Sequence, residues 1–296
     1  MTLVFSTINM KGGVGKTTLT VNLATCLVRD HQKRVLIVDL DSQISATLSV
    51  LSPQDFGKLR RGRRTLSYLI DKVIRPYIVR KFSTPDMILK SVCDLPGLDL
   101  LPGDIELYDE YIVAETLYKR TAEAADSQKF AEVWVQFEKK LMQSILEPIR
   151  DQYDYVLMDC APGYNLLTRS AIVASDFYLL PARPEPLSLV GIQLLQQRIA
   201  KLKAQYDPTL TANLLGIVFI LSGGLFSGRY YSQVMQRIKQ DFEPNYLFDT
   251  TIPMDVNVAK AVDGFTPAVL STPNSSGSRA FGKLTGEFLE KLLSVT

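Results

Sequence analysis

The chain has 296 residues, 46% apolar and 22% charged, with a formal net charge of +2. That balance excludes a disordered or low-complexity polymer, and a charge so near neutral says almost nothing about nucleic acid. Three scattered cysteines (Cys26, Cys93, Cys160) and one histidine (His31) leave no disulfide framework, no Cys-x-x-Cys zinc or iron–sulfur site and no histidine metal cage, and no apolar run is long enough to span a bilayer.

In chain order, residues 3–8 form an apolar run read as a buried strand. Its position at the start leaves no room for a signal peptide or an N-terminal helix-turn-helix, so a cytoplasmic setting is expected. Residues 9–18, Asn-Met-Lys-Gly-Gly-Val-Gly-Lys-Thr-Thr, then open a helix through Leu19, Val21, Leu23, Ala24 and Leu27. Gly12, Gly13 and Gly15 let backbone N–H groups turn inward around a phosphate, and the helix N-terminus adds positive potential. Lys16 would reach the β- and γ-phosphates, and the Thr17 hydroxyl would hold Mg2+. The expected ligand shell is Lys11, Gly12, Gly13, Val14, Gly15, Lys16, Thr17 and Thr18. The usual first glycine of such a loop is Met10, and a second lysine, Lys11, precedes the glycines. One phosphate loop and no repeat exclude a tandem enzyme.

The run 34–39 is a second strand ending in Asp39-Leu40-Asp41; alternation points both acids to one side at the carboxyl end, where ligands of α/β sheets bind. A basic stretch from Lys58 to Lys81 and an acidic one over 104–126 follow, both read as solvated faces. Further short apolar runs fall at 97–102, 154–159, 176–182, 214–221 and 246–252. The fourth strand, 154–159, ends in Asp159, followed by Cys160-Ala161-Pro162-Gly163. Helical periods between the runs predict an α/β fold: a doubly wound, mostly parallel sheet of about seven strands with helices on both faces. We expect a single domain over 1–296, with segments 54–95 and 120–150 longer than such a domain needs. The second carries a 3.6-period stripe, Phe130, Val133, Phe137, Leu141, Ile145 and Ile149, read as core or dimer packing. A helix after residue 186 is expected to bury Leu187, Val190, Leu194, Leu195, Ile199 and Leu202. Another, 229–242, is expected to bury Tyr231, Val234, Ile238 and Phe242.

The run Lys-Gly-Gly-Val-Gly-Lys-Thr-Thr resembles the deviant phosphate loop of the ParA/MinD family of ATPases. The Asp39-x-Asp41-x-Gln43 pattern and the run Pro181-Ala182-Arg183-Pro184-Glu185-Pro186-Leu187 look more like the ParA branch. The resemblance implies a P-loop NTPase fold, ATP and Mg2+ as cofactors, and an ATP-sandwich homodimer in which Lys11 reaches the partner's nucleotide in trans. It further implies that Asp41 polarises the attacking water, that Asp39 supports the Thr17–Mg2+ shell, that Asp159 orients the metal through water and that Pro162-Gly163 begin a switch loop. Pro253, Met254 and Asp255 match a segment that lies against adenine, largely through backbone, with Met254 and Asp255 replacing the more usual Arg and Asn. Ser42 and Gly163 depart from the usual prolines without removing a charge.

By the same resemblance, Arg198 and Lys201 on one helix and Arg229 and Arg237 on the next contact DNA phosphates without reading bases. The implied function is that of a partition or positioning ATPase with slow basal turnover, bound to nucleoid DNA as an ATP dimer. A ParB-like or cargo-adaptor partner would stimulate hydrolysis; the cargo would be a plasmid, a chromosome origin or a protein assembly such as a carboxysome. One alternative is a MinD-like membrane-associated regulator using the C-terminal stripe Phe281, Leu284, Phe288 and Leu292; the last ten residues carry two glutamates and one lysine, which disfavours anionic lipid. Another is a nucleotide-gated adaptor with negligible turnover.

Overall fold

The structure, a computed structural model, describes residues 2–75, 82–123, 129–206, 210–220 and 244–295, together with Gln233, Gln236, Arg237 and Phe242. Six strands form one sheet: β1 (Leu3–Thr7), β2 (Val35–Leu40), β3 (Leu98–Leu101), β4 (Tyr155–Cys160), β5 (Phe177–Ala182) and β6 (Asn213–Phe219). Their order is β3-β2-β4-β1-β5-β6 and every pairing is parallel. Parallel neighbours require crossovers, and helices on both faces explain why these strands are mainly apolar on both sides instead of strictly alternating with polar residues.

Alternation sorts each strand between two cores. Phe5, Val35, Ile37, Tyr155 and Leu157 pack on α1 (Lys16–His31) and on the C-terminal helix α12 (Ser276–Val295). Val4, Leu36, Val38, Val156 and Met158 face the other layer. That layer contains α4 (Leu66–Ile74), α6 (Glu110–Glu123), α7 (Phe130–Leu146), α8 (Leu166–Ala174) and α9 (Pro186–Tyr206). The same period of two carries Thr7, Asp39 and Asp159 to the α1 side at the carboxyl edge, where α1 begins. Shorter helices complete the chain: α2 (Ser45–Leu48), α3 (Pro53–Arg61), α5 (Thr84–Met87), α10 (Val256–Ala261) and α11 (Ala268–Ser271).

Two expectations change and a third is narrowed. No seventh strand forms over 246–252: only isolated parallel bridges tie Leu247 to Ile217 and Ile252 to Ile220. The Glu287 carboxylate of α12 takes the N–H groups of Asp249 (2.6 Å) and Thr250 (2.9 Å), so a side chain replaces the ladder there. On α9, Ile192, Leu195, Ile199 and Leu202 are buried, whereas Leu187, Val190 and Leu194 are 75%, 59% and 40% exposed. Two apolar stripes run side by side on that helix, and periodicity alone does not say which one the sheet covers. On α7 the buried part of the stripe starts at Phe137; Phe130 is exposed. Most of the expected helix 229–242, including Arg229, lies outside the described residues; Arg237 is exposed and helical, and Phe242 is buried.

Candidate functional site

The loop after β1 is built to surround an anion. Gly13 and Gly15 have φ of +69° and +90°, left-handed values that turn successive N–H groups toward one point. Gly15 is also the N-cap of α1 and has no side chain to cap it, so the first N–H groups of this 16-residue helix face the loop. The positive φ disfavours any other residue at Gly15, and a β-carbon there would stand 2.5 Å from Ile220 Cδ1, at the tip of a side chain that would have to move. Asn9 ties the loop's entry down, accepting from Lys11 N and donating to Pro181 O, both at 2.9 Å.

Lys16 is buried, and its Nζ donates to the Lys11 carbonyl across the loop at 3.2 Å. Burial lowers its pKa, an effect opposed chiefly by the Asp159 carboxyl and also by Asp41. Thr17 donates to Asp159 Oδ2 at 2.6 Å, and Thr20, one turn on, lies 3.4 Å from Asp159 Oδ1 and 2.8 Å from Thr7. Asp159 and Asp39 are register partners across β4 and β2. Burial first, then the Asp39 charge, push the Asp159 carboxyl up to about 8, and burial raises Asp39 to about 6.

Asp39 is placed beside Asp159, yet its hydrogen bonds lead away from Thr17. Its Oδ2 accepts from Thr47 N (2.8 Å) and Thr47 Oγ1 (2.7 Å), and its Oδ1 from Asp41 N (3.2 Å). Asp39 therefore fixes the turn that presents Asp41. Asp41 lines a cavity of about 550 Å³ with loop residues 13–18, Pro162, Arg183 and residues 253–255. Gly12 is at the exposed lip. Lys11, half exposed, is ion-paired with Glu185, to whose other oxygen Arg183 lies 4.0 Å away. Pro253, Met254 and Asp255 do reach this cavity, beside Ile220, Val258, Val262 and Pro267. The Asp255 carboxylate is already committed: it caps α10 through Asn257 N (2.8 Å) and accepts from Gly277 N (2.8 Å) and Ser276 Oγ (2.9 Å). Those bonds hold its pKa far below the usual carboxylate range, the Gly277 N–H contributing most.

The donor set fits Mg2+. A threonine hydroxyl and a carboxylate are hard oxygen ligands, and this ion normally takes only one or two from protein and the rest from phosphates and water. Consistently, no group of three or more His, Cys, Asp or Glu among the described residues forms a metal cage. The raised Asp159 pKa predicts how the ligand-free chain responds to pH. The folded state keeps a proton that the unfolded state loses near pH 3.9, so stability falls as pH rises from about 4 to 8. Thermal midpoints of the ligand-free chain are expected to drop across that window, and Asp159→Asn to flatten the drop. Parallel curves for the two proteins would clear Asp159 as the cause.

Among the residues implied for DNA, Lys201 is exposed on α9, while Arg198 is half buried. Lys203 is turned onto Asn213 Oδ1 at 3.1 Å. Thr47, Thr20, Arg183 and the Lys11–Glu185 pair were not foreseen as site elements. Glu185 lay within a run already singled out, whereas nothing in the sequence around Thr47 points back to Asp39.

A doubly wound parallel sheet whose first strand empties into a two-lysine phosphate loop, with acids at the ends of β2 and β4, defines a P-loop nucleotide-binding protein. A family model described as AAA domain (AAA_31) matches residues 2–212, and the chain belongs to that family as a ParA/MinD-type P-loop ATPase. It is 29% identical over 290 residues to the chromosome partitioning protein ParA of Caulobacter vibrioides, covering 97% of this chain and 94% of that one. The cell division ATPase MinD of Pyrococcus furiosus superposes with a TM-score of 0.67 at 25% identity, over 99% of this chain and 100% of its own. An ATP complex of a Cyanothece McdA variant shares the fold, with a TM-score of 0.70 at 18% identity over 98% and 96% of the two chains.

Proposed function

We propose that this chain is an ATP-hydrolysing positioning protein that closes as an ATP-sandwich homodimer and holds non-specific DNA in that state. The observation that carries this reading is the separation of its two loop lysines. Lys16 is buried within the loop, while Lys11 stands half exposed at the lip, paired with Glu185. Next to Glu185, α9 leaves Leu187, Val190 and Leu194 uncovered. An apolar stripe beside a cation that does not reach its own cavity suits a second copy of the same surface.

Bound Mg-ATP would supply the phosphoryl group and the charge neutralisation. Lys16 and the N–H groups of residues 13–18 would cradle the phosphates, Thr17 and Asp159 would hold the cation's shell, and Asp41 would orient the attacking water. Lys11 of each subunit would stabilise charge on the other's nucleotide. The apolar wall of Ile220, Val258, Val262 and Pro267 suits a purine face. A partner that stimulates hydrolysis would release the dimer from DNA. The protein would be cytoplasmic and nucleoid-associated, working as one domain over 1–296.

The membrane-regulator reading draws no support from α12, whose stripe of Phe281, Leu284, Phe288 and Leu292 is buried against the α1 layer. The direct test is fluorescence anisotropy with a random-sequence duplex in ATP, ADP or no nucleotide at fixed salt. Binding with ATP alone is expected. Lys201→Gln or Arg198→Gln should lower the log–log salt slope by about one unit for each phosphate contact removed. Equal binding in all nucleotide states, or none, would overturn the proposal.

A further inference from the structure

The loop that leaves β4 carries a ring within cation–π reach of two arginines. Pro162 of that loop lines the nucleotide cavity, and a β-carbon on Gly12 of the phosphate loop would lie 3.7 Å from it. Gly163 follows in the left-handed region at φ +101°, with nothing within 4 Å of where its β-carbon would be. Then comes Tyr164. Its ring centroid lies 5.7 Å from the Arg169 guanidinium of α8 and 5.5 Å from that of Arg198 on α9. Both are within the range of cation–π attraction. The Tyr164 hydroxyl donates to the Arg198 carbonyl at 3.1 Å, and Arg169 Nη1 donates to the Tyr164 carbonyl at 2.9 Å.

One jaw of this clamp is anchored. Arg169 donates through Nε and Nη2 to the two oxygens of Glu138 on α7, at 2.7 and 3.1 Å. Glu138 is 1% exposed and also accepts from the Trp134 indole at 3.1 Å. A buried, bidentate and further hydrogen-bonded pair is costly to break from either side. The other jaw is a single residue in the middle of a 21-residue helix.

We propose that Tyr164 is a positioning residue through which the occupant of the nucleotide cavity sets the placement of α9, with Glu138 and Arg169 as the fixed end. The inference rests on the nucleotide-binding reading above. An occupant that meets Pro162 shifts a loop whose next residue has room to rotate. The cation–π contact of Tyr164 and its hydroxyl hydrogen bond both reach α9 at Arg198, while Tyr206, at the far end of the same helix, is hydrogen-bonded to Glu138. A displacement of the ring therefore pulls on α9 at Arg198, while the end of the helix at Tyr206 stays tied to Glu138. The arrangement gives α7, within the long 120–150 segment, a purpose beyond core packing: it holds Arg169 still. It also keeps the Arg198 side chain engaged with Tyr164, so its release for a phosphate contact depends on the same loop.

Hydrogen-exchange mass spectrometry on the full chain, without nucleotide and with Mg-ADP or Mg-ATP, tests this. In the wild type, α9 peptides around Arg198 should change their exchange on nucleotide addition. Tyr164→Leu should bind nucleotide within about threefold of wild type and lose the α9 response. If Tyr164→Leu fails to fold, Tyr164→Phe keeps the ring over both guanidinia and drops only the hydroxyl, and should weaken the response. An α9 response unchanged in the variants overturns the proposal, and so does nucleotide binding by the wild type with α9 silent. Failure of the wild type to bind nucleotide would fall first on the proposed function and take this inference with it.

Discussion

Lys16→Ala is expected to weaken ATP binding about 100-fold or more, a loss of at least about 2.7 kcal/mol, without unfolding the protein. The reasoning starts from the free protein. Lys16 is a buried cation whose ammonium has one neutral acceptor, the Lys11 carbonyl. Desolvation opposes its charge and the nearby acids only partly compensate, so its removal costs the free fold little. Charge-assisted hydrogen bonds to phosphate oxygens, each worth about 1.5–3 kcal/mol, would be lost on binding. Thermal melting with and without Mg-ATP separates the two effects. The variant should melt within about 3 °C of wild type when ligand-free and show almost no shift with nucleotide. Near wild-type affinity would mean that the backbone N–H groups of residues 13–18 hold the phosphates alone. Lys11→Ala is the contrasting control: exposed at the lip, it should leave nucleotide binding by the single chain largely intact.

The phosphate loop was legible because its pattern is local: glycines, lysine and threonine stand at fixed spacing within ten residues. The ends of β2 and β4 were legible for a related reason. A period of two fixes which side Asp39 and Asp159 take, and a parallel sheet gathers strand ends at one edge. What escaped the sequence depends on tertiary contact. The engagement of Asp39 with Thr47 needs the short helix α2 to fold back over the strand end. The α9 stripes are indistinguishable by period, and only packing reveals that Leu187, Val190 and Leu194 stay uncovered. The seventh strand failed because Glu287, distant in sequence, takes the N–H groups it would have used. Asp255 lines the cavity as the adenine segment would, and the sequence did not show that its carboxylate serves helix ends.

Asp41→Ala is expected to slow ATP hydrolysis by about 100-fold or more while leaving ATP affinity within about threefold. The structure distinguishes the three acids at the sheet edge by what already occupies them. Asp159 is held by Thr17 and approached by Thr20, and Asp39 by Thr47 and the Asp41 N–H. Asp41 accepts the Gln43 N–H through Oδ1 and lines the cavity itself. A carboxylate that orients water acts only as the reaction proceeds, so its loss removes transition-state stabilisation and leaves the ground-state contacts of the phosphate loop in place. The variant should therefore accumulate as an ATP-bound dimer that remains on DNA. Single-turnover hydrolysis, together with light scattering in ATP and dissociation from a labelled duplex, reads all three consequences. Hydrolysis near the wild-type rate would remove Asp41 from the chemistry. Slow hydrolysis with free dissociation from DNA would keep Asp41 in the chemistry but break the link between turnover and release, and with it the positioning cycle.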